Sequence, residues 1–361
     1  MTSNSQISES AGNCALKNIP SDYYPKGCGF WFNIPNGLDS GKKLFFRDSK
    51  HGNGIPEKTL VFVHGNPECS YTYRKIIENL INKAKKPFRI IAVDHIGFGL
   101  SDQATYEMVC MDHAKNLFQL IKKLNLTSVT LIVHDWGGPI GIGAFLQEPE
   151  RVNNLILLNT TVFPIFNNGM TYNNYPISWL SWSKVPYIIP NRFWGGFASY
   201  AIFTSPKSPF KLLVNMIRHI ALASLGIDYG IETLAKRVFR EQFHSRMNVM
   251  SSKRLVLQTK RFAHGNIYRE PRIGKRDTRT FYKLIQSSIS QKWGSKGQNI
   301  GVRAILGRWD PLAQNEVIRQ WVSHLPQLEN NIKIFEGIGH FIEEFKPKII
   351  AYEILGAANL I

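Results

Sequence analysis

Residues 133–139 read Val-His-Asp-Trp-Gly-Gly-Pro. The run that leads into them, Val129–Val133 (VTLIV), is short, apolar and β-branched, the signature of a buried parallel strand. The glycine pair behind the aspartate lets the backbone turn sharply into a following helix. Asp135 therefore sits at the tip of a strand-to-helix turn. An isolated aspartate there is more often a helix N-cap, so its meaning depends on what the neighbouring loops bring.

Outward from this stretch the same rhythm repeats. Leu60–Val63 (LVFV), Ile90–Val93 (IIAV) and Leu155–Leu158 (LILL) read as further buried strands, with helix-length segments at Tyr71–Lys83 and His113–Leu124. The pattern resumes with Val302–Leu306 (VRAIL), a helix around Asn315–His324, and Ile332–Phe335 (IKIF). Strand alternating with helix predicts an α/β fold with a mostly parallel, doubly wound sheet, in which reactive groups occupy loops at the carboxyl ends of the strands. Between Pro164 and Val302 the rhythm is lost. The expected organisation is a flexible tail over 1–20, a core made of 21–164 and 301–361, and an inserted, mainly helical cap over 165–300.

The strand-end loops carry the chemistry. LVFV is followed by His64-Gly65-Asn66-Pro67, VRAIL by Gly307-Arg308-Trp309-Asp310-Pro311, and IKIF by Glu336-Gly337-Ile338-Gly339-His340-Phe341. With Asp135 this gives an acid at an elbow, a second acid after a late strand and a histidine after the last one. Nucleophile, acid, base is the chain order of the α/β-hydrolase triad, whose elbow usually carries serine. A carboxylate at the elbow is suited to displacing a leaving group from a saturated carbon, and an alkoxide to attacking acyl carbonyls.

The motifs HGNPECSYTYR (64–74), DHIGFGLSD (94–102), VHDWGGP (133–139), LLNTTVFP (157–164), LGRWDP (306–311) and EGIGHFIEE (336–344) resemble the α/β hydrolases with an aspartate nucleophile, and most of all the haloalkane dehalogenases. The resemblance covers roughly 58–164 and 301–346; the insertion does not match and is longer than a typical cap of that family. It implies Asp135 as nucleophile, His340 as general base and Asp310 as the acid that orients His340. It also implies Asn66 and Trp136 as the donors that hold a departing halide, since a side-chain amide and an indole N–H both donate. The loop after LILL, Asn159-Thr160-Thr161, offers no carboxylate, which leaves Asp310 as the acid. Asn66 favours halide chemistry over the related epoxide hydrolases, which usually carry an aromatic residue there; an epoxide hydrolase using the same triad stays open because the cap holds seven tyrosines. A non-catalytic or binding protein on the same scaffold is a third reading. Phe163, Phe166 and Phe341 are expected in the pocket from their nearness to the catalytic loops. No metal or organic cofactor is implied; Gly97-Phe98-Gly99 reads as a turn. The expected partners are water and a small hydrophobic halogenated or epoxide substrate.

Composition bounds the rest. The 361 residues are 43% hydrophobic and carry a net charge of +18. Residues 165–300 hold 21 Lys/Arg against 5 Asp/Glu, which accounts for +16 of it. No nucleic-acid signature accompanies the charge, so no nucleic acid is expected, whereas weak association of the basic cap with anionic surfaces is. No apolar run is long enough to span a membrane, the first residues lack the pattern of a signal peptide, and the four cysteines have neither metal nor disulfide spacing. A cytoplasmic location with reduced thiols is the expectation.

Overall fold

The computed structural model describes residues 6–166, 169–204, 208–224 and 233–361. Before the insertion come β1 (Ile7–Ser8), β2 (Gly29–Asn33), β3 (Lys43–His51), β4 (Lys58–Val63), β5 (Phe88–Val93), β6 (Val129–His134) and β7 (Val152–Leu158). The insertion contains two small hairpins, β8 (Pro176–Ile177) with β9 (Leu180–Ser181), and β10 (Ile267–Glu270) with β11 (Gly274–Asp277). β12 (Gly301–Trp309) and β13 (Ile332–Gly339) follow it. Nine strands form one sheet in the order β1-β2-β3-β5-β4-β6-β7-β12-β13. From β5 to β13 every neighbouring pair is parallel; β1, β2 and β3 add an antiparallel edge.

Helices cover both faces, which is why the central strands are continuously apolar. Val61, Val63, Leu131 and Val133 point into one core, and Leu60, Phe62, Ile132 and Ile156 into the other. Each such side chain removed from water contributes roughly 1.5–3 kcal/mol. The register aligns the strand ends: Val63 lies beside Val133 and His134 beside Leu158, so the loops beginning at His64, Asp135 and Asn159 leave the sheet at one level.

Two expectations about organisation need correction. The first concerns the tail. Residues 1–5 lie outside the described residues, but Ile7–Ser8 pairs with β2, Leu16 is buried, and the backbone N–H groups of Lys17 and Asn18 donate to Glu241 at 3.2 and 3.4 Å. This segment straps the core to the insertion because its apolar and backbone groups find partners there. The second concerns the end of the cap. Helix Arg279–Trp293 packs on the core helix Gly137–Phe145, with Phe281 against Gly143 and the Trp293 indole N–H donating to Pro149 O at 3.1 Å. Its apolar face belongs to the core, so the segment over the strand ends stops well before residue 300.

That segment includes helices Trp194–Phe203, Pro209–Ser224, Leu234–Glu241 and Arg246–Gln258. Polar side chains fix it to the core loops: Gln242 accepts from Gly99 N–H and donates to Pro67 O, Asn248 accepts from Ala104 N–H, and Ser251 accepts from Met108 N–H. Among the described residues no helix is long and apolar enough to cross a membrane, and all four cysteines are unpaired.

Candidate active site

Asp135 follows β6 with φ of 49°, a left-handed conformation that costs a non-glycine residue about 1–3 kcal/mol unless its surroundings hold it. They do hold it. The Thr160 hydroxyl donates to Asp135 O at 2.5 Å, and Gly138 N–H donates to the same oxygen at 3.0 Å. A Cβ at Gly137 would collide with the carbonyl oxygen of Val63, and one at Gly65 with the Asp135 side chain. The glycines therefore let the helix start and the His64–Asn66 loop press against the aspartate from two sides.

The carboxylate is almost fully buried. Its Oδ2 accepts the Asn66 backbone N–H at 2.8 Å, and its Oδ1 lies 3.5 Å from His340 Nε2. His340 comes from the loop after β13, and its Nδ1 donates to Asp310 Oδ2 at 2.7 Å. Asp310 ends β12, where it caps a single turn, Pro311–Ala313, by accepting Leu312 N–H. Asn159 Nδ2 donates to Asp310 Oδ2 at 2.7 Å, while the Asn159 amide is itself pinned through both atoms to the Gly307 backbone. The loop that lacks a carboxylate thus supplies the residue that holds one. Burial alone would lower the pKa of His340; the charge of Asp310, with the bonds to Asp135 and Asp310, outweighs it and holds the imidazole well above its ordinary value.

Behind this trio lies a second buried network. His134 Nδ1 pairs with Glu68 at 2.6 Å, its Nε2 donates to the His340 carbonyl oxygen at 3.0 Å, and Glu343 lies 3.5 Å from the same nitrogen. Burial and the charge of Glu68 push the Glu343 carboxyl well up, while the charge of His134 outweighs burial and holds the Glu68 carboxyl down. These three residues are a group that can bring ligand atoms within 4.8 Å of one another. Through His134, Glu68 is tied to the His340 backbone, which anchors the His340 loop.

Asn66, Asp135, Trp136, Asp310, His340 and Phe341 form the floor of a cleft whose walls are mostly apolar. The walls come from the cap: Trp182, Val185, Trp194, Phe197, Leu212 and Met216, with Tyr172 and Tyr175. The Tyr172 hydroxyl lies 3.5 Å from Asp310 Oδ1, and the Tyr175 hydroxyl donates to Trp309 O at 3.3 Å. Trp136 is buried and stacks on Phe262, with ring centroids 4.6 Å apart. The Asn66 amide oxygen accepts the Ser252 hydroxyl, and its Nδ2 is buried without a partner among the described residues.

The structure brings together Asp135, His340, Asp310, Asn66, Trp136 and Phe341. It does not bring Phe163 or Phe166 to the cleft. The Phe163 ring packs against Trp321 and His324. Phe166 is 52% exposed in a surface groove beside Ile165 and Met170. After Thr161 the chain turns away from the site, so closeness along the sequence misled. Asn159, Ser252 and Trp194 were not singled out from sequence, since each acts through a residue far away in the chain.

A model of the alpha/beta hydrolase fold family matches residues 58–218. The chain is 40% identical over 128 residues to a cis-3-alkyl-4-alkyloxetan-2-one decarboxylase of Shewanella oneidensis, covering 34% of this chain and 37% of that protein. It is 31% identical over 135 residues to haloalkane dehalogenase 2 of Mycobacterium tuberculosis, covering 37% and 42%. These matches span about two fifths of the relatives' own length. Among solved structures, haloalkane dehalogenase DpaA from Paraglaciecola agarilytica superposes with a TM-score of 0.67 at 19% identity, covering 98% of this chain and all of that one. Epoxide hydrolase CorEH superposes with 0.58 at 17%, covering 90% and 96%. A nine-stranded, mostly parallel sheet with an aspartate elbow at its carboxyl edge, matched in these ways, carries the α/β hydrolase fold.

Proposed function

We propose that this chain is a hydrolase that forms a covalent ester on Asp135, and that its substrate is a haloalkane. One observation carries the reading. Asp135 is held between the Asn66 N–H and His340 Nε2, while the Asn66 side chain leaves a buried, unpartnered amide donor in the same apolar cleft. An anion leaving group needs such donors where water is excluded.

In the first step Asp135 Oδ1 attacks the carbon that bears the halogen. A C–O bond forms, the carbon–halogen bond breaks, and its electron pair departs on the halide, which Asn66 Nδ2 and the Trp136 indole hold. In the second step His340 takes a proton from water, and the resulting hydroxide adds to the ester carbonyl. The developing oxyanion keeps the Asn66 N–H bond, and the alcohol leaves with a proton. Asp310 stabilises the imidazolium formed on the way. The same chemistry frees His340 to act as a base: esterification neutralises Asp135 and removes one of the charges that hold the proton on the imidazole.

A second reading is favoured by the oxetanone decarboxylases, 40% and 36% identical to this chain over 128 and 117 residues. For a dialkyl β-lactone, Asp135 would attack the saturated ring carbon bonded to the ring oxygen, breaking that C–O bond and releasing a carboxylate into the Asn66 site. Loss of carbon dioxide then forms the C=C bond and expels Asp135, with no water consumed. An epoxide hydrolase is less well supported, because the hydroxyls of Tyr172 and Tyr175 are directed at Asp310 and Trp309.

Purified protein incubated separately with a bromoalkane, a terminal epoxide and a cis-3,4-dialkyl-oxetan-2-one distinguishes the three. Bromide and alcohol release that Asp135→Asn abolishes supports the first reading. Alkene and carbon dioxide from the lactone without bromide release replaces it with the second, and diol alone with the third.

A further inference from the structure

Residues 165–227 contain five Lys/Arg and no Asp or Glu. Within this acid-free stretch, helix Pro209–Ser224 has two apolar faces. Leu212 and Met216 are buried and line the cleft above Asp135. Phe210, Val214 and Ile217, spaced four and three residues apart, point the other way and are exposed, Phe210 at 72%. Lys211 and Arg218 flank this outer stripe and are exposed too. The β8–β9 hairpin packs on the same helix and presents Trp179 in its turn, 64% exposed.

We propose that this face docks on an anionic lipid bilayer. An apolar stripe one helix wide, flanked by cations and an exposed tryptophan, is the arrangement by which a helix lies in a membrane interface. The absence of acidic residues from 165–227 fits a negatively charged surface and opposes the alternatives. A second copy would set the same unneutralised cations against themselves. A nucleic acid would engage Lys211 and Arg218 and leave Phe210, Val214 and Ile217 in water. Docking there would place the lipid phase one helix thickness from the cleft, where apolar substrates concentrate. The proposal stands apart from which reaction the cleft performs.

Sedimentation of the full chain with vesicles of phosphatidylcholine alone, and of phosphatidylcholine mixed with phosphatidylglycerol, tests it. The chain is expected to bind the mixed vesicles, to bind neutral ones far less, and to release as salt rises. Lys211→Ala and Arg218→Ala should each weaken binding about fivefold. Phe210→Ser, with thermal unfolding unchanged, should weaken it about tenfold or more. Equal binding to both vesicles, no binding to either, retention by all three variants, or a dimer that Phe210→Ser dissociates would each overturn the proposal.

Discussion

The Ser252 hydroxyl donates to Asn66 Oδ1 at 2.5 Å, and a third residue holds the serine in place. The Trp194 indole N–H donates to Ser252 Oγ at 2.9 Å. An indole can only donate, so the serine oxygen accepts there and its proton is free for the amide oxygen. The amide is thereby turned with Nδ2 toward the cleft. Ser252 and Trp194 belong to the cap and Asn66 to the core, so the cap sets the orientation of the proposed leaving-group donor.

Replacing Ser252 with alanine should release that orientation. Bromide affinity, read by quenching of tryptophan fluorescence, should fall about tenfold, the effect of a hydrogen bond to a charged group. Ser252→Thr should keep it. Hydrolysis of a preformed ester should be unaffected, because water activation does not pass through the amide side chain. Unchanged bromide binding in Ser252→Ala would remove the relay from the account.

His340→Phe should separate the two chemical steps. Attack by Asp135 does not need the imidazole, whereas release of the ester does. The variant, incubated with a bromoalkane, should release one equivalent of bromide and then stall. Intact-protein mass spectrometry should show the mass of one alkyl group, localised to the peptide that contains Asp135. Multiple turnovers without a trapped adduct would sink the covalent route.

Much of this site was legible because its core rests on short motifs. Asp135, His340, Asp310, Asn66 and Trp136 all fall at ends of strands whose apolar runs mark them plainly, and parallel strands in register bring their loops to one edge. The antiparallel edge made by β2 and β3 escaped notice, as did the strand in the supposed tail. Asn159, Ser252 and Trp194 escaped for a different reason. Each works by holding a partner 151, 186 and 58 residues away, and no local pattern encodes such a pairing. The misplaced Phe163 and Phe166 show the converse, since two residues beyond Thr161 the chain has already left the cleft.

Asn159→Ala should act on turnover through Asp310. Without the amide, Asp310 loses a bond to the oxygen that also faces His340, and the carboxylate can rotate. Turnover should fall about tenfold with little change in KM, and Asn159→Asp should not rescue it, since a second carboxylate would repel the first. An altered KM with normal turnover would place Asn159 in substrate binding instead.

The elevated His340 pKa gives a pH signature with a definite sign. In the free protein the imidazolium is favoured by Asp310 and Asp135 together; in the ester form the Asp135 charge is gone. The pKa that governs ester hydrolysis, taken from the acid limb of single-turnover rates, should therefore lie below the His340 pKa measured by NMR in the resting protein. Equal values would mean that Asp135 does not contribute to the proton affinity of His340.

Beneath the His64–Asn66 loop, the rings of His64, His95 and His113 lie in sequence with centroids 4.3 and 5.0 Å apart, all buried. Burial lowers all three, His113 to about 3, and both ring nitrogens of His113 lack partners among the described residues. A histidine whose folded pKa is depressed costs nothing above its unfolded value near 6.5. Below it the unfolded chain takes up protons that the folded chain refuses, so stability falls as pH drops toward the folded pKa. His113→Leu removes one such site and two unsatisfied nitrogens, so the variant should match or exceed the parent in urea unfolding at pH 7. At pH 5 its advantage should grow by about 2 kcal/mol, the product of 1.5 pH units and the free energy of one unit. A stability difference that does not change between the two pH values would show that His113 is not held neutral by burial.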